Sequence, residues 1–322
     1  MVRPMSKMAS FPPLAAAAAA SPAAAAPETP HEQRVAGTRA SDGLRGALDH
    51  LRQTHDRFVA DVIRITEVPA PPFKEAERAK LVRTMFADLG YEDAAIDAEG
   101  NVTALRPGTD PDAKLVVVSA HLDTVFPEGT KVKVRREGDR LYAPGIGDDS
   151  RGLATMLAFA RALDAAKIRT RHSILFVATV GEEGRGNLRG VRHLFTEGAY
   201  KDRIGAFFSL DGSQPARVTH GAVGSKRYRV TFKGPGGHSY GAFGIVNPMA
   251  AMSLAVTELY KIQPPADPKT TYAASVTGGG RSINAIPDTV FMDFDMRSRD
   301  PQALAALEKS FLTILDEAAT TE

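Results

Sequence analysis

Acidic and imidazole side chains come directly after apolar runs at three places in this chain. The runs are "KLVVVSA", "SILFVATV" and "GAFFSL". The side chains that follow them are His121 and Asp123, then Glu182 and Glu183, then Asp211, with Asp148 and Asp149 between the first two groups. A polar residue at the end of a buried strand destabilises the fold unless a hydrogen-bonding or charged partner meets it. Because carboxylates and imidazoles bind divalent metals and transfer protons, the pattern predicts metal or acid–base chemistry.

The apolar runs alternate with amphipathic segments, which is typical of an α/β protein. The segments "EAERAKLVRTMFADLG", "RGLATMLAFARALDAA" and "NLRGVRHLFTEG" have helical spacing. Short apolar strands separated by helices favour a mainly parallel sheet covered by helices on both faces. In open α/β sheets the ligand crevice lies outside the carboxyl ends of the strands. We therefore expect the side chains that follow the three strands to meet at one edge of the sheet.

A cluster of carboxylates without matching cations would repel itself, which indicates that one or two divalent cations neutralise it. Taken singly, these residues have ordinary explanations. Asp148 or Asp149 could cap a helix that begins near Arg151, and a Glu-Glu pair is usually solvated surface. The remaining histidines, apart from His238, are assigned to the surface or the packed interior: His31, His50, His55, His172, His193 and His220. The coincidence of three strand ends favours the metal site.

Five ordered motifs, "SAHLDTV", "PGIGDDSRG", "VGEEGRG", "SLDG" and "GPGGHS", resemble those of the co-catalytic zinc exopeptidase and amidohydrolase family. That family includes peptidase T, glutamate carboxypeptidase and the aminoacylases. The resemblance extends from about Ser41 to the end of the chain, and "GIGDDSRGLA" is most similar to the peptidase T-like branch. It implies an enzyme that uses two divalent metal ions to hydrolyse amide bonds, with zinc as the first choice and cobalt or manganese as alternatives.

The resemblance also implies a role for each residue of the motifs. Asp123 would hydrogen-bond the His121 imidazole and fix which ring nitrogen faces the metal. Glu182 would be the general base, which takes a proton from a water shared by the metals and returns it to the leaving amine. The implied metal ligands are His121 and Asp211 for the first metal, Glu183 for the second, and Asp148 bridging both.

Small peptides are the substrates that the resemblance implies, and N-acyl amino acids, cleaved by a deacylase, are the alternative. A catalytically inactive relative that serves as a binding or dimerisation module is a second alternative. We expect no serine nucleophile to compete with the metal mechanism. The absence of cysteine excludes a thiol nucleophile, and it requires that any metal be held by His, Asp and Glu.

After Asp211 the pattern changes to β-α-β-β-α. The runs "KRYRVTF", "TTYAASVT" and "TVFMDFDMRSR" suit an antiparallel sheet with one wet face. The resemblance implies that this part is a smaller inserted α+β domain, which serves in dimerisation or as a lid, and that the protein is a homodimer. His238 matches the family histidine that reaches the substrate carbonyl, commonly in the partner subunit's site. Asn284 and Arg297 match residues that hold the reacting centre and a substrate carboxylate, while the ordinary explanation of Arg297 is a surface arginine.

The predicted domains are an Ala/Pro-rich stretch at residues 1–40, a metal-binding catalytic domain at residues 41–214 and the inserted domain at residues 215–322. The first is either a secretory signal peptide, which implies export to the periplasm, or a low-complexity extension of a cytoplasmic protein. Lysine and arginine number 40 against 38 acidic residues and are scattered, so we expect no nucleic-acid partner. No apolar run outside this stretch reaches the about 18 residues of a membrane-spanning helix, so we expect no membrane partner.

The resemblance implies one more histidine ligand for the second metal, in a later segment of the catalytic domain. No histidine follows His238. We therefore expect that the 322 residues are an incomplete version of the enzyme, without the C-terminal part of the catalytic domain. Such a chain would bind the first metal through His121, Asp148 and Asp211, lack a ligand for the second, and hydrolyse its substrates poorly.

Overall fold

The computed structural model describes residues 29–212 and 217–321. Two compact units are present, Met1–Pro215 and Ala216–Glu322. The stretch for which a signal peptide or a low-complexity extension is predicted lies largely outside the described residues. Its last part, Pro30–Arg39, is a helix with exposed side chains. Within the described part of the chain, no helix combines the length and the apolar character that crossing a membrane requires.

The first unit contains six α-helices and seven strands among its described residues. The helices are α1 (Pro30–Arg39), α2 (Asp42–Gln53), α3 (His55–Thr66), α4 (Ala76–Ala87), α5 (Arg151–Ala165) and α6 (Arg189–Thr196). The strands are β1 (Ala95–Ile96), β2 (Val102–Arg106), β3 (Leu115–His121), β4 (Arg135–Glu137), β5 (Arg140–Tyr142), β6 (Ile174–Thr179) and β7 (Ile204–Ser209). The strands and helices predicted around the motifs are therefore present.

Five of these strands form the central sheet, in the order β1-β2-β6-β3-β7. β3 runs parallel to both of its neighbours, with Ala120 opposite Ala178 of β6 and Val117 opposite Phe207 of β7. β2 runs antiparallel to β6, and β1 runs antiparallel to β2, so the sheet is mixed. The predicted α/β class is confirmed, and the parallel direction holds for the three strands that carry the motifs.

Helices cover both faces of this sheet. One core cluster joins a face of the sheet to α3, α4 and α5, and a second joins the opposite face to α6. Phe176 of β6 belongs to the first cluster and its neighbour Leu175 to the second, and both side chains are fully buried. A strand that is buried on both faces favours apolar residues at every position. This is why "SILFVATV" does not alternate between apolar and polar residues.

The second unit is an antiparallel sheet with two helices. Its elements are β8 (Gly224–Lys233), β9 (Gly237–His238), α7 (Pro248–Leu259), β10 (Thr270–Gly279), β11 (Ala285–Ile286), β12 (Thr289–Ser298) and α8 (Pro301–Thr321). β12 lies between β10 and β8, and alternate residues of β12 are buried with α7 and α8. On the other face, ion pairs join Asp293 and Asp295 of β12 to Arg229 and Arg227 of β8. Such cross-strand pairs are typical of a sheet with one wet face, as predicted.

Candidate metal centre

The three strands that carry the motifs deliver them to one edge of the central sheet. His121 is the last residue of β3, Glu182 follows β6, and Asp211 follows β7. A main-chain hydrogen bond from Leu122 N to Thr179 O, 2.7 Å long, continues the pairing of β3 with β6 past the strand end. The side chains that follow the strands therefore meet, as expected at the carboxyl edge of parallel strands.

His121 is buried, and its two ring nitrogens have different neighbours. Nδ1 lies 3.0 Å from the main-chain oxygen of Asp123 and 3.6 Å from the Oδ1 of the same residue. Nε2 lies 2.8 Å from Asp148 Oδ1 and 4.0 Å from Asp211 Oδ1. A carbonyl oxygen can only accept, so Nδ1 donates its hydrogen and Nε2 faces the carboxylates, as a metal ligand must. The hydrogen bond that orients the ring thus goes to the main chain of Asp123, whereas the resemblance implies its carboxylate.

The Asp123 carboxylate is fully buried and joins two strand-end loops. Its Oδ1 accepts a hydrogen bond from Glu182 N at 3.0 Å, and its Oδ2 accepts one from Glu183 N at 2.8 Å. Gly181, just before this pair, has a φ of 62°, a left-handed conformation that glycine adopts without steric strain. Asp123 therefore fixes the main chain of the glutamate pair and, through its own main chain, the ring of His121.

The two aspartates of "GIGDDSRG" have different environments. Asp148 is exposed and faces His121, whereas Asp149 is buried. Asp149 Oδ2 accepts a hydrogen bond from His121 N at 2.9 Å, and its Oδ1 accepts one from Gly152 N at 3.1 Å in the first turn of α5. A Cβ at Gly152 would lie 2.1 Å from both Asp149 Oδ1 and Leu210 O, so the position requires glycine. Asp149 therefore caps α5, in line with its ordinary explanation, and also holds the end of β3.

Two sets of donor atoms lie close enough together to share a cation. Within each set, one atom from every residue lies within 4.8 Å of the others, and the sets are His121, Asp148 and Glu183, and His121, Asp149 and Asp211. Imidazole nitrogen and carboxylate oxygen are donors that zinc, cobalt and manganese accept in proteins. The residues present therefore fit a divalent metal. Asp149 was not among the predicted site residues, and the only signal for its place in this cluster was its position beside Asp148.

The pKa values of the cluster indicate an excess of negative charge. Burial alone would lower the pKa of His121, but the neighbouring Asp123, Asp148 and Asp149 raise it to about 11. Burial raises the pKa of Asp149 to about 8, with His121 opposing the shift and with Asp211 and Asp148 adding to it. The raised pKa of His121 shows that its carboxylate neighbours favour added positive charge, whereas burial is the main reason that Asp149 resists ionisation.

The glutamate pair responds to the same excess of charge. Burial raises the pKa of Glu182, and the nearby Asp211 adds to the shift, while His121 partly opposes it. Burial also raises the pKa of Glu183, with Asp148 adding to it. A glutamate whose pKa is raised accepts a proton more readily than a solvated one, which is the property of a general base. A divalent cation would relieve the repulsion among these carboxylates.

Two of the predicted site residues of the second unit, the catalytic candidate His238 and the substrate-binding candidate Asn284, line one pocket of about 450 Å³. β9 pairs with β11, so His238 lies opposite Ala285, the residue after Asn284. The His238 Nδ1 accepts hydrogen bonds from Tyr240 N at 3.3 Å and from Gly241 N at 3.4 Å. With Nδ1 as an acceptor, the Nε2 of the neutral ring carries the hydrogen and can donate it to a carbonyl oxygen.

Arg297 lies near the end of β12, and its side chain is 48% exposed. Its Nε donates a hydrogen bond to Asp295 Oδ2 at 2.7 Å, and Asp295 also accepts one from Arg227 Nε at 3.0 Å. The guanidinium is therefore paired within its own sheet. Binding of a substrate carboxylate by Arg297 stays a prediction, and it requires the guanidinium to share or leave Asp295.

A Gly-x-Ser-x-Gly pattern, typical of serine hydrolases, is present at residues 237–241 as "GHSYG", so the expectation that no serine signature competes was too broad. In those enzymes the serine lies on a tight turn between a strand and a helix. Here β9 has two residues, and the next helix, α7, begins only at Pro248. Ser239 therefore lacks the strand–turn–helix arrangement that the serine mechanism uses.

Residues 117–320 match the model of peptidase family M20/M25/M40. Carboxypeptidase G2 from Pseudomonas sp. (strain RS-16) is 27% identical over 187 residues, which cover 57% of this chain and 44% of that protein. The matched part of this chain therefore spans less than half the length of that relative.

Two solved structures show the same fold. Aminopeptidase PepT from Bacillus cereus ATCC 10987 superposes with a TM-score of 0.63 at 23% identity, over 83% of this chain and 72% of that one. The Bacillus subtilis YXEP protein, a dinuclear metal-binding peptidase from the M20 family, superposes with a TM-score of 0.55 at 16% identity, over 84% of this chain and 71% of that one. At these low sequence identities, the similarity to the two structures shows a shared fold and nothing further. This fold is the one that the motifs predict.

Proposed function

Because this chain belongs to peptidase family M20/M25/M40, whose members hydrolyse peptide and related amide bonds, we propose that it is a metal-dependent hydrolase of small peptides. The observation that carries this proposal is the meeting of one histidine with several carboxylates at the ends of three parallel strands. Amide hydrolysis needs an activated water and a group that polarises the carbonyl. A metal held by these donors, with a free glutamate beside it, would supply both.

In the proposed site, His121, Asp148 and Asp211 would hold a first divalent metal, and Glu183 with Asp148 would hold a second. The donor atoms of Asp211 and Glu183 lie in different donor sets, as this assignment to two metals requires, although each set also includes His121. Zinc is our first choice, with cobalt or manganese as alternatives, because imidazole and carboxylate suit all three. Metal ions held by these residues would supply the positive charge that acidifies a water and polarises the scissile carbonyl. Asp149 holds the main chain of the ligand His121 in place, because its carboxylate accepts a hydrogen bond from His121 N.

Glu182 is the proposed general base. Its main chain is fixed by the Asp123 carboxylate, so its side chain leaves the loop at a defined point. Its carboxylate takes the proton of the attacking water and returns it to the leaving amine. The adjacent Glu183 has a different role, because its donor atom lies in a ligand set with His121 and Asp148.

Small peptides are our first substrate class, and N-acyl amino acids are the second. Both carry a free carboxylate, for which Arg297 offers a guanidinium, and a scissile carbonyl, for which Asn284 and His238 offer N–H groups. An inactive binding module is the alternative from another class. The two donor sets, with Glu182 beside them, favour the enzyme over this alternative.

A panel of dipeptides, tripeptides and N-acetyl amino acids tests the proposed function. The purified chain, supplied with zinc, cobalt or manganese, is expected to release free amine from at least one peptide. If every peptide is cleaved more slowly than an N-acetyl amino acid, the deacylase function applies instead. Substrate binding without release of amine from any compound would favour the inactive module.

We also propose a homodimer in which His238 acts in the site of the partner subunit. His238→Ala and Glu182→Gln homodimers should each be inactive, because every site lacks one group. A mixture of the two variants, unfolded and refolded together, should recover about a quarter of the wild-type activity, because random pairing makes half of the dimers mixed and each mixed dimer has one complete site. Sedimentation analysis is the control. A strictly monomeric chain, together with no recovery of activity on mixing, would contradict the cross-subunit role.

A further inference from the structure

Arg78 of α4 is a fully buried arginine whose hydrogen bonds go to main-chain oxygens. Its Nη1 donates to Leu122 O at 2.8 Å, and its Nε and Nη2 donate to Val68 O at 2.9 and 2.7 Å. Val68 lies just after α3, and Leu122 lies between His121 and Asp123. Arg78 therefore joins the segment after α3 to the end of β3, at the place where the predicted ligands begin.

Leu122 transmits this contact to the metal centre. Its N–H donates to Thr179 O at 2.7 Å, so the residue is held by the sheet on one side and by Arg78 on the other. The next residue along the chain supplies the main-chain oxygen that accepts the hydrogen bond of His121 Nδ1. A rotation of the main chain at Leu122 would therefore turn the His121 ring and move its Nε2 away from the donor sets.

The guanidinium also lies in the field of two buried carboxylates. Burial lowers the pKa of Arg78 to about 10, while the charges of Asp123 and Asp149 act to raise it. Asp123 holds the main chain of the glutamate pair, and Asp149 holds that of His121. Because an isolated buried ion is costly, the guanidinium and the charged forms of these carboxylates stabilise one another.

We propose that Arg78 is a positioning residue of the metal centre, which holds the Leu122 carbonyl and offsets the charge of Asp123 and Asp149 so that His121 keeps its orientation. This inference rests on the proposed function, because it concerns the same site. Removal of a group that orients metal ligands typically weakens metal binding by about 10- to 100-fold, and we expect an effect of that size here.

One electrostatic effect opposes this expectation. A guanidinium near the site repels a metal cation, so its removal would by itself tighten metal binding. The buried Asp123 carboxylate lies in the field of the guanidinium and offsets its charge, so little net repulsion from Arg78 reaches the metal. The loss of ligand orientation should therefore outweigh the loss of repulsion. Tighter zinc binding in the absence of Arg78 would contradict the positioning role.

Arg161 of α5 provides a matched control for a merely structural role. Its side chain is 9% exposed, and its Nη1 donates to Asp61 Oδ2 at 2.7 Å, which joins α5 to α3. Arg161→Met therefore removes a buried guanidinium and leaves a buried partner without its hydrogen bond, as Arg78→Met does. Both variants should lower the midpoint of thermal unfolding. Only Arg78→Met should also weaken metal binding.

Two readouts on the 322-residue chain test the inference: zinc affinity, measured by competition with a chromophoric chelator, and the visible spectrum of bound cobalt. Arg78→Met is expected to bind zinc about 10- to 100-fold more weakly than the wild type and to change the cobalt spectrum, which reports ligand geometry. Arg161→Met should leave both unchanged. Arg78→Lys keeps the charge and part of the hydrogen bonding, so its zinc affinity should be intermediate. Equal zinc affinity and equal spectra in the wild type and Arg78→Met would overturn the inference.

The lysine variant decides the question if Arg78→Met does not fold. Weaker zinc binding by Arg78→Lys than by the wild type would then support the positioning role, and unchanged binding with an unchanged cobalt spectrum would overturn it. A wild-type chain that binds no zinc would overturn the proposed function and this inference together. Zinc binding that does not depend on Arg78 would overturn this inference alone.

Discussion

Glu182→Gln is expected to slow amide hydrolysis by about 10²- to 10⁴-fold, which is the usual contribution of a general base. Glutamine has nearly the shape of glutamate but cannot take a proton from water. The hydrogen bond from Glu182 N to Asp123 Oδ1 involves the main chain, so the loop should keep its conformation in the variant. Steady-state kinetics with the best substrate of the panel measures the loss.

Glu183→Gln is the matched control, because it makes the same change one residue further along. Glu183 belongs to a donor set with His121 and Asp148, so its substitution should weaken metal binding, and added metal should restore part of the turnover. The Glu182→Gln chain should bind metal as well as the wild type, and added metal should not restore its turnover. Identical behaviour of the two variants would contradict the division of roles between the adjacent glutamates.

Removal of metal ions is expected to abolish hydrolysis completely and reversibly. The metal-free site has its carboxylates and His121 crowded together, and it lacks the charge that acidifies water and polarises the carbonyl. Zinc, cobalt or manganese added back should restore turnover, and their order of effectiveness identifies the preferred metal. Elemental analysis confirms removal of the metal. Full turnover after complete removal would contradict a metal mechanism.

The same removal should lower the stability of the folded chain. Burial is the main cause that raises the pKa of Asp149, Glu182 and Glu183, and neighbouring carboxylates add to each shift, so ionising these groups together is costly in the folded state. A ligand present at about 1,000 times its dissociation constant stabilises the folded state by about 4 kcal/mol. Metal should therefore raise the midpoint of thermal unfolding. If metal raised the unfolding midpoint of the His121→Ala variant as much as that of the wild type, the metal would bind at another site.

The strands that carry the site could be predicted because of where they lie in the sheet. β3 and β6 are buried along their whole length or nearly so, which leaves continuous apolar runs that end abruptly at polar residues. Their common direction makes those ends meet. β2 was not among the predicted strands. Its sequence "VTALR" is short, and its residues alternate between buried and partly buried positions. Its antiparallel pairing with β6 depends on contacts that are distant in sequence, and no local pattern encodes those contacts.

The types of site residue could be predicted from the motifs, but their hydrogen bonds could not. The His121 ring is oriented by the main-chain oxygen of Asp123, a contact that depends on the path of the loop after β3. Asp149 both caps α5 and holds His121, because its two carboxylate oxygens point to different elements. Residue type alone cannot show which of two adjacent aspartates is buried.

Arg78 had no signal in the sequence. It lies in "EAERAKLVRTMFADLG", where an arginine of an amphipathic helix is typical of solvated surface. Its burial depends on how α4 packs against the sheet and α3, so that its guanidinium meets the carbonyl groups of Leu122 and Val68. Only the three-dimensional arrangement shows that these carbonyl groups need a donor and that two buried aspartates need a cation.

Zinc titration of the metal-free chain tests most directly whether the residues after β3, β6 and β7 form a divalent-metal centre. Saturable binding to the wild type is expected. His121→Ala should lose it or weaken it strongly, because His121 belongs to both donor sets, whereas the control His172→Ala, at an exposed histidine, should bind zinc as the wild type does. Absence of saturable zinc binding to the wild-type chain, or binding that is unchanged in His121→Ala, would contradict the metal centre.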